Sequence, residues 1–180
     1  MYNPDDILQE TWNRGWLYIF RHQQRKIINK LLQFLAMHFL CPPKMRSRLQ
    51  KWRGVKMKDP LSNYFMDHVN FDERVPENIS LGRRAYIAAG ARLVTHRYLV
   101  HGYALKTNIL LEDDVFIGLN AIVMGPAHLG KGCMVAAGSI VTGDVEPGAM
   151  VAGIPAKKIG VYDGEKILKD VKEALAKKKP

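Results

Sequence analysis

An aliphatic side chain recurs at every sixth position through the middle of the chain. The aliphatic column is Leu111, Ile117, Val123, Leu129, Val135 and Val141. Four residues after each of these stands a small or short side chain: Val115, Ala121, Ala127, Cys133, Ser139 and Val145. Since an α-helix repeats every 3.6 residues and a strand every two, a strict period of six fits neither alone. The pattern predicts a solenoid of short strands and tight corners, with the aliphatic residues in a narrow interior. Gly118 and Gly130, each just after an aliphatic residue, are predicted to suit the tight backbone of a corner.

The same phase continues upstream of this block. The upstream aliphatic positions are Leu81, Ile87 and Leu93, with Ala85 and Ala91 as small partners and Val69 and Val75 as candidates to begin the series. Between the two blocks Leu99 and Leu105 stay in phase, but the small positions hold Arg97, Tyr103 and Ile109. We therefore predict that residues 97–109 form a loop extruded from the solenoid, the alternative being a poor but regular turn. Loops on rigid scaffolds are where binding and catalytic residues concentrate.

Several runs of sequence resemble the hexapeptide-repeat acyltransferases. They are FDERVPENISLGRRAYIAAGAR from Phe71, IGLNAIVMGPAHLGKGCMVAAGSIV from Ile117 and VTGDVEPGAMVAGIPAKKIG from Val141. Within the family they are similar to the sugar O-acetyltransferases related to maltose, galactoside and capsule-polysaccharide acetyltransferases. The resemblance covers about residues 44–160. It implies a left-handed parallel β-helix, a homotrimer, acetyl-CoA as donor, a sugar or glycan acceptor, and active sites between neighbouring subunits.

The resemblance also implies the catalytic residues. Transfer of an acetyl group to a sugar hydroxyl needs a base, because an alcohol is a poor nucleophile until its proton is removed. His96, in the motif LVTH where the coil gives way to the loop, matches the family's catalytic histidine. Asp72 matches an acidic position close to it, where a carboxylate can fix the imidazole tautomer or bind a sugar hydroxyl; the alternative is an ordinary surface aspartate. Tyr98 and His101 on the loop are candidates for sugar contact.

The same resemblance implies where acetyl-CoA binds. The pantetheine arm is expected to lie against backbone groups and small side chains between adjacent coils. The matching positions are Gly118, Leu119, Ala137 and Thr142. Lys157 and Lys158 match basic positions that meet the phosphates of the donor. Phe116 stands where many relatives carry tryptophan, as a flat wall for the thioester end.

Two other functions are compatible with a hexapeptide solenoid. Some proteins of this kind resemble the γ-class carbonic anhydrases, in which three histidines from two subunits hold a metal ion. His96 and His101 have the five-residue separation of such a pair, and the third ligand would be His68 or His128. The other function is a non-catalytic trimeric scaffold.

Composition limits the remaining partners. The 180 residues are 47% hydrophobic and carry a net charge of +10, which implies an affinity for anions. The sequence shows no helix-turn-helix, zinc-finger spacing or aromatic RNA-binding motif, so a nucleic-acid partner is not expected. Cys41 and Cys133 do not make a disulfide framework, and we expect a cytoplasmic protein.

Both ends of the chain are predicted to be helical. Residues 3–40 form a predicted helical region, since Asn3 and Pro4 suit a helix start and Pro42 ends the region. Its apolar run 31–40 is too short to cross a bilayer. Because basic residues precede that run, the helices either pack on the coil or a partner subunit, or contact a membrane surface at the inner face.

Helix boundaries divide the chain into three predicted regions. Gly54 can stop a helix in the basic segment 44–58, and Asp163 is expected to cap a short C-terminal helix with an apolar stripe through Ile167 and Val171. The regions are a basic helical segment, 1–58, a β-helix acyltransferase domain, 59–160, and a C-terminal helix and tail, 161–180.

Overall fold

The computed structural model of the chain describes residues 7–9, 16–37, 41–99 and 103–177. The described helices are α1 (Trp16–Met37), α2 (Pro43–Arg53) and α3 (Gly164–Lys177). The described strands are β1 (Ile7–Gln9), β2 (Lys56–Met57), β3 (Tyr64–Phe65), β4 (Asn70–Phe71), β5 (Ile79–Leu81), β6 (Tyr86–Ile87), β7 (Arg92–Val94), β8 (His96–Tyr98), β9 (Tyr103–Lys106), β10 (Ile109–Leu111), β11 (Phe116–Ile117), β12 (Ile122–Met124), β13 (Ala127–Leu129), β14 (Met134–Val135), β15 (Ile140–Val141), β16 (Ala149–Gly153) and β17 (Ala156–Val161).

The middle of the chain coils into a parallel β-helix with three faces. The first face holds β2, β5, β10 and β13, the second holds β3, β6, β11, β14 and β16, and the third holds β4, β7, β12 and β15. Each coil contributes one strand to each face in that order. Ile117 pairs with Val135, eighteen residues later, as three units of six residues require. The short strands from 56 to 71, which the sequence pattern did not place, form the first coil.

The interior of the coil is the predicted aliphatic column. Leu93, Leu111, Ile117, Leu129 and Val135 have 0% of their surface exposed. The small positions between them are buried as well, including Val115, Ala121 and Cys133. Burying an aliphatic side chain of this size stabilises a fold by about 1.5–3 kcal/mol. The six-residue register is therefore confirmed.

Two corners of the coil repeat a left-handed backbone conformation. The corner between the first and second faces has positive φ at Arg84, Asp114, Gly132 and Gly148, and the corner between the second and third faces has it at His68, Gly90, Asn120 and Gly138. Gly118 and Gly130 lie in the corner segments that follow β11 and β13, as predicted, although neither has positive φ. Their lack of a side chain serves close stacking instead, because a Cβ on Gly130 would lie 2.5 Å from Pro147 N.

The chain leaves the coil after β7 and returns at β10. Between them β8 and β9 form an antiparallel hairpin, with Arg97 opposite Leu105. Leu93 pairs with Val123, thirty residues on rather than eighteen, so the excursion adds twelve residues to this coil. Leu99 is 42% exposed and lies outside the core despite its phase. Ile109, expected in the loop, is instead the buried first residue of β10.

The helix predicted across residues 3–40 is wrong over residues 7–9. That segment is β1, which pairs antiparallel with β9 and places Ile7 opposite Leu105. A hairpin that leaves the coil presents an outer edge of backbone groups, and β1 satisfies that edge. Asn3 and Pro4, the expected helix start, lie outside the described residues.

The two N-terminal helices cover the first coil with polar side chains. Gln33 of α1 is buried and its Nε2 donates to the carbonyl of Val69 at 3.0 Å. Ile27, Leu31 and Leu35 of α1 are exposed and face away from the coil. The predicted stop at Gly54 is confirmed, since α2 ends there with φ +115°.

After the last coil, β17 folds back antiparallel on β16 and leads into α3. Asp163 caps that helix as predicted, since its Oδ1 accepts the N–H of Lys166 at 3.0 Å. Ile167 and Val171 of α3 are exposed. Among the described helices, none combines the length and apolar character needed to cross a bilayer.

Candidate active site

Asp72 and His96 meet at the base of the extruded hairpin. Asp72 directly follows β4 and His96 begins β8, so both lie where the chain leaves the third face. His96 Nδ1 is 2.6 Å from Asp72 Oδ2. The Asp72 side chain is 0% exposed and that of His96 is 17% exposed. The structure thus joins the two predicted catalytic residues, and Asp72 is not a surface aspartate.

Backbone hydrogen bonds hold the Asp72 carboxylate in place. Its Oδ1 accepts the N–H of Arg74 at 2.8 Å and that of Val75 at 3.2 Å, which is the turn that aspartate commonly forms with the following residues. Its Oδ2 also accepts the N–H of Thr95 at 2.7 Å. Backbone N–H groups therefore hold both carboxylate oxygens without any help from the imidazole.

These contacts set the protonation of the pair. Burial would raise the pKa of Asp72, but hydrogen bonds from the His96 ring and from the N–H groups of Arg74 and Thr95 outweigh it and hold the pKa below its ordinary value. An ionised carboxylate only accepts hydrogen bonds, so His96 Nδ1 is the donor in this contact. In the neutral ring, Nε2 is then left with a lone pair that can accept a proton.

Tyr98 lies beside the imidazole. Its ring packs edge-on against that of His96, with 5.2 Å between the centroids, and is 58% exposed. The Arg74 guanidinium lies 5.2 Å from the centroid of the same Tyr98 ring. The hairpin thus presents a phenol next to the outward side of His96. His101, the other residue predicted for sugar contact, lies outside the described residues.

The residues predicted for the donor fall at two separate edges of the third face. Gly118, Leu119 and Ala137 lie where the second face turns into the third, whereas Thr142 follows β15, at the same edge as His96. Thr142 and Lys158 line one cavity of about 320 Å³. Within one chain, Thr142 and Lys158 thus lie together. The other three residues, Gly118, Leu119 and Ala137, lie at the edge of the third face away from His96.

Two of the donor residues have structural partners of their own. A Cβ on Gly118 would lie 2.6 Å from Ala137 N and 2.7 Å from Val135 O, so the stacking of coils alone explains the missing side chain. The Lys158 Nζ lies 2.5 Å from Glu146 Oε2, with both side chains exposed. Lys157 is exposed beside it in β17. An exposed ion pair of this kind is weak, so Lys158 can exchange its partner for a phosphate.

Phe116 belongs to an aromatic stack that the sequence reasoning missed. Its ring lies 5.0 Å from that of Tyr86 with 3° between the planes, and Tyr86 stacks in turn on Tyr64 at 5.2 Å. The Phe116 ring also lies 6.4 Å from that of Tyr162, and both rings line a cavity of about 710 Å³. The signal for the stack was three aromatic residues at one outward position of successive coils.

The described histidines of the metal hypothesis, His68, His96 and His128, lie on different parts of the chain. His68 is at the corner between the second and third faces. His128 lies on the first face, where its Nε2 is 2.8 Å from Glu112 Oε1. In the part of the chain that the structure describes, no three metal-binding side chains come together.

Known proteins similar to this chain share its repeat. A family model described as the hexapeptide repeat of succinyl-transferase matches residues 109–143, which run from β10 through β15. YvoF of Bacillus subtilis (strain 168), which is named as an acetyltransferase, is 32% identical over 120 residues, or 67% of this chain and 68% of that protein. The chain belongs to the hexapeptide-repeat acetyltransferases.

Other known proteins match this chain over shorter lengths or at lower identity. A 2,3,4,5-tetrahydropyridine-2,6-dicarboxylate N-acetyltransferase of Staphylococcus aureus (strain JH9) is 45% identical over 78 residues, which are 43% of this chain but only 31% of that enzyme. A Vibrio cholerae hexapeptide-repeat acetyltransferase complexed with acetyl coenzyme A superimposes with a TM-score of 0.56 at 19% identity, covering 79% of this chain and 90% of its own. A maltose O-acetyltransferase of Clostridium difficile 630 gives 0.54 at 14% identity, with 83% and 90% covered. These two structures show the shared fold.

In this hexapeptide-repeat acetyltransferase, α2 supplies a residue that the sequence pattern did not reveal. Arg53 is 1% exposed, and its Nη2 donates to the carbonyls of Asp72 at 2.8 Å and Phe71 at 3.2 Å. Its Nη1 donates to the side-chain oxygens of Gln33 and Gln50. Burial lowers the pKa of Arg53 to about 10, although the nearby acidic groups oppose this. A polar helix face usually meets solvent, which is why the pattern gave no signal.

Proposed function

We propose that the chain is an acetyl-CoA-dependent O-acetyltransferase of the sugar-modifying branch, with His96 as the general base. The observation that carries the proposal is the 2.6 Å contact between His96 Nδ1 and the buried Oδ2 of Asp72, at the base of a hairpin extruded from a β-helix. That contact orients the ring and leaves Nε2 as the proton acceptor. The partial exposure of His96 gives an acceptor molecule access to it.

In the proposed reaction, His96 first accepts a proton from the acceptor hydroxyl and later donates it to coenzyme A. His96 Nε2 takes the proton of the acceptor hydroxyl as the hydroxyl oxygen attacks the thioester carbonyl carbon. Asp72 stabilises the imidazolium that forms, because its carboxylate stays ionised. His96 then returns the proton to the departing thiolate of coenzyme A. No covalent enzyme intermediate is required, and Tyr98 and His101 are proposed to contact the sugar.

The exposed lysines and small side chains near the third face support the residues that we propose for acetyl-CoA. Thr142 shares a cavity with the exposed cation Lys158, and Lys157 adds a second positive charge in the same strand, which suits the donor's phosphates. Leu119 and Ala137 present short or apolar side chains at the other edge of the third face, for the pantetheine arm. Phe116 is proposed as a wall near the thioester. The Vibrio cholerae relative with acetyl coenzyme A bound supports this choice of donor.

The distance between the residues proposed for the pantetheine arm and the base His96 supports a homotrimer with active sites between subunits. Ala137 and His96 lie on opposite edges of the third face, and six residues at about 3.3 Å each make a face roughly 15–20 Å wide. Within one chain Ala137 and His96 are therefore separated by the width of the face, and we propose that a neighbouring copy supplies the other edge of each site. We further propose a left-handed coil and a cytoplasmic location, with the donor and base residues in a β-helix domain of residues 59–160, an N-terminal region, 1–58, before it and a C-terminal region, 161–180, after it.

The acceptor class can be tested directly. The proposal expects a hydroxyl, as in the maltose O-acetyltransferase of similar fold, whereas the Staphylococcus aureus relative is named for N-acetylation and makes an amine the second candidate. Release of coenzyme A from acetyl-CoA is measured with free sugars, nucleotide sugars, lipid-linked glycans and amino sugars whose hydroxyls are blocked. Acetylation of hydroxyls supports the proposal. Turnover only with the amines would replace O-acetylation by N-acetylation, and binding of acetyl-CoA without transfer to either would overturn both.

A further inference from the structure

The positive charge of the chain is concentrated in one segment. Residues 11–58 contain twelve lysines and arginines and not one aspartate or glutamate. These twelve charges exceed the net charge of +10 of the whole chain. The segment includes α1 and α2, which together cover the first coil of the β-helix. A polyanionic partner at this end of the molecule would be attracted strongly.

Both helices bury polar side chains and expose large apolar ones, unlike an ordinary amphipathic helix. In α1 the polar Asn29 and Gln33 are buried, while four large apolar residues face outward: Ile27, Ile28, Leu31 and Leu35 are 45–62% exposed. In α2 the side chains of Arg46, Gln50 and Arg53 are buried. A helix in a soluble protein normally turns its apolar face to the core. The outward apolar residues of α1 therefore call for an apolar partner.

The outward side of α2 combines cations with large apolar groups. Lys44, Arg48 and Lys51 are exposed there, together with Met45 at 53% and Trp52 at 74%. Tryptophan is enriched at the interface between headgroups and acyl chains, and lysine and arginine are attracted to anionic headgroups. The basic and aromatic groups of α2 complement a lipid surface, whereas a nucleic acid would use the charges and leave the apolar residues of α1 uncovered.

We propose that the outer surfaces of α1 and α2 bind an anionic lipid bilayer, with the apolar side chains of α1 entering the headgroup region. The occupant is a membrane rather than a second copy of the same surface, because two such acid-free basic surfaces would repel each other. Lipid binding of this kind needs no spanning helix, only an apolar face and adjacent cations. The inference goes beyond the acetyl-transfer function and does not depend on it.

The test is co-sedimentation of the full chain with vesicles. One set contains equal parts of phosphatidylglycerol and phosphatidylcholine, and the other contains phosphatidylcholine alone. We expect binding to the first set, weakened by high salt, and much weaker binding to the second. Each cation near an anionic surface contributes about fivefold to the binding constant. The triple variant Lys44→Gln, Arg48→Gln, Lys51→Gln should therefore bind roughly 100-fold more weakly.

A matched control removes the same charge elsewhere. The variant Lys166→Gln, Lys169→Gln, Lys172→Gln changes three exposed lysines of α3 and should bind the anionic vesicles like the wild type. A second arm, Leu31→Gln with Leu35→Gln, should lose most of the binding without a change of charge. All these positions are exposed, and circular dichroism checks that each variant is folded.

Four results would overturn the proposal. The first is no binding to the anionic vesicles. The second is equal loss of binding in the α3 control, which would mean that only net charge matters. The third is a change in oligomeric mass for Leu31→Gln with Leu35→Gln while vesicle binding is unchanged, which would show that a second copy covers α1. Binding of double-stranded DNA that survives the leucine changes, with no vesicle binding, would likewise replace the membrane by a nucleic acid.

Discussion

The backbone carbonyl of Asp72 accepts a hydrogen bond from the guanidinium of Arg53 at 2.8 Å, so a buried cation from α2 holds the strand end that carries the proposed catalytic carboxylate. The same guanidinium binds Gln33 of α1 and Gln50 of α2. The N-terminal helices are thereby connected to the His96–Asp72 pair through one side chain. This connection links the stability of the helical cap to the geometry of the base.

Arg53→Met should destabilise the protein by about 3 kcal/mol, because the buried carbonyl oxygens of Phe71 and Asp72 and the amide oxygen of Gln50 would each lose a charged donor. Urea unfolding measures the change. Lys51→Met, an exposed change on the same helix, should alter the free energy of unfolding by less than about 0.5 kcal/mol. If the two substitutions changed the free energy of unfolding equally, Arg53 would not have this structural role.

The Asp72 carboxylate should stabilise the fold in a pH-dependent way. Its pKa is lower in the folded chain than its ordinary value, so its contribution is complete above the ordinary aspartate value of about 3.9 and is lost as the pH falls through the folded value. The wild type should therefore be more stable than Asp72→Asn at pH 7, and the difference should shrink below about pH 4. Urea midpoints across this range measure it. A difference that stays constant into acid would contradict an ionised Asp72.

Val123→Asp should abolish the soluble fold. Val123 has 0% exposure inside the coil, and an unpaired carboxylate there costs several kcal/mol whether it stays charged or is neutralised. The matched control is Leu110→Asp, which puts the same group on an outward position that is 42% exposed. The yield of soluble protein and its thermal midpoint are the measurements. An equally heat-stable Val123→Asp would contradict the register.

Ala137→Trp should block acetyl-CoA while the chain stays folded and assembled. Ala137 is exposed at the edge between the second and third faces, so an indole there fills the proposed groove and not the core. Calorimetric titration with acetyl-CoA should show at least a tenfold loss of affinity, about 1.4 kcal/mol. His128→Trp, on the first face, should bind normally. Unchanged affinity for Ala137→Trp would remove this edge from the donor site.

The six-residue period predicted the coil well because one physical requirement, filling a narrow interior, fixes every sixth residue. Leu99 shows why phase alone is insufficient, since it keeps the period yet lies outside the core, and only the loss of small partners marked the hairpin. The strand β1 could not be predicted, because its partner β9 is a distant edge that exists only after folding. The role of Arg53 could not be predicted for a similar reason. It is one of several basic residues on α2, and nothing in the sequence shows that its acceptors include backbone carbonyls of β4 and the residue after it.

The central claim is that His96 is the base, and His96→Ala tests it most directly. Initial rates of acetyl transfer from acetyl-CoA to the acceptor found by screening are compared with the wild type, and acetyl-CoA affinity is measured in parallel. His128→Ala, at an exposed histidine on another face, serves as the control. We predict that His96→Ala lowers turnover by about 10²–10⁴-fold with donor affinity unchanged. A variant that kept more than about a third of wild-type turnover would contradict the assignment, since removal of a general base costs far more than that.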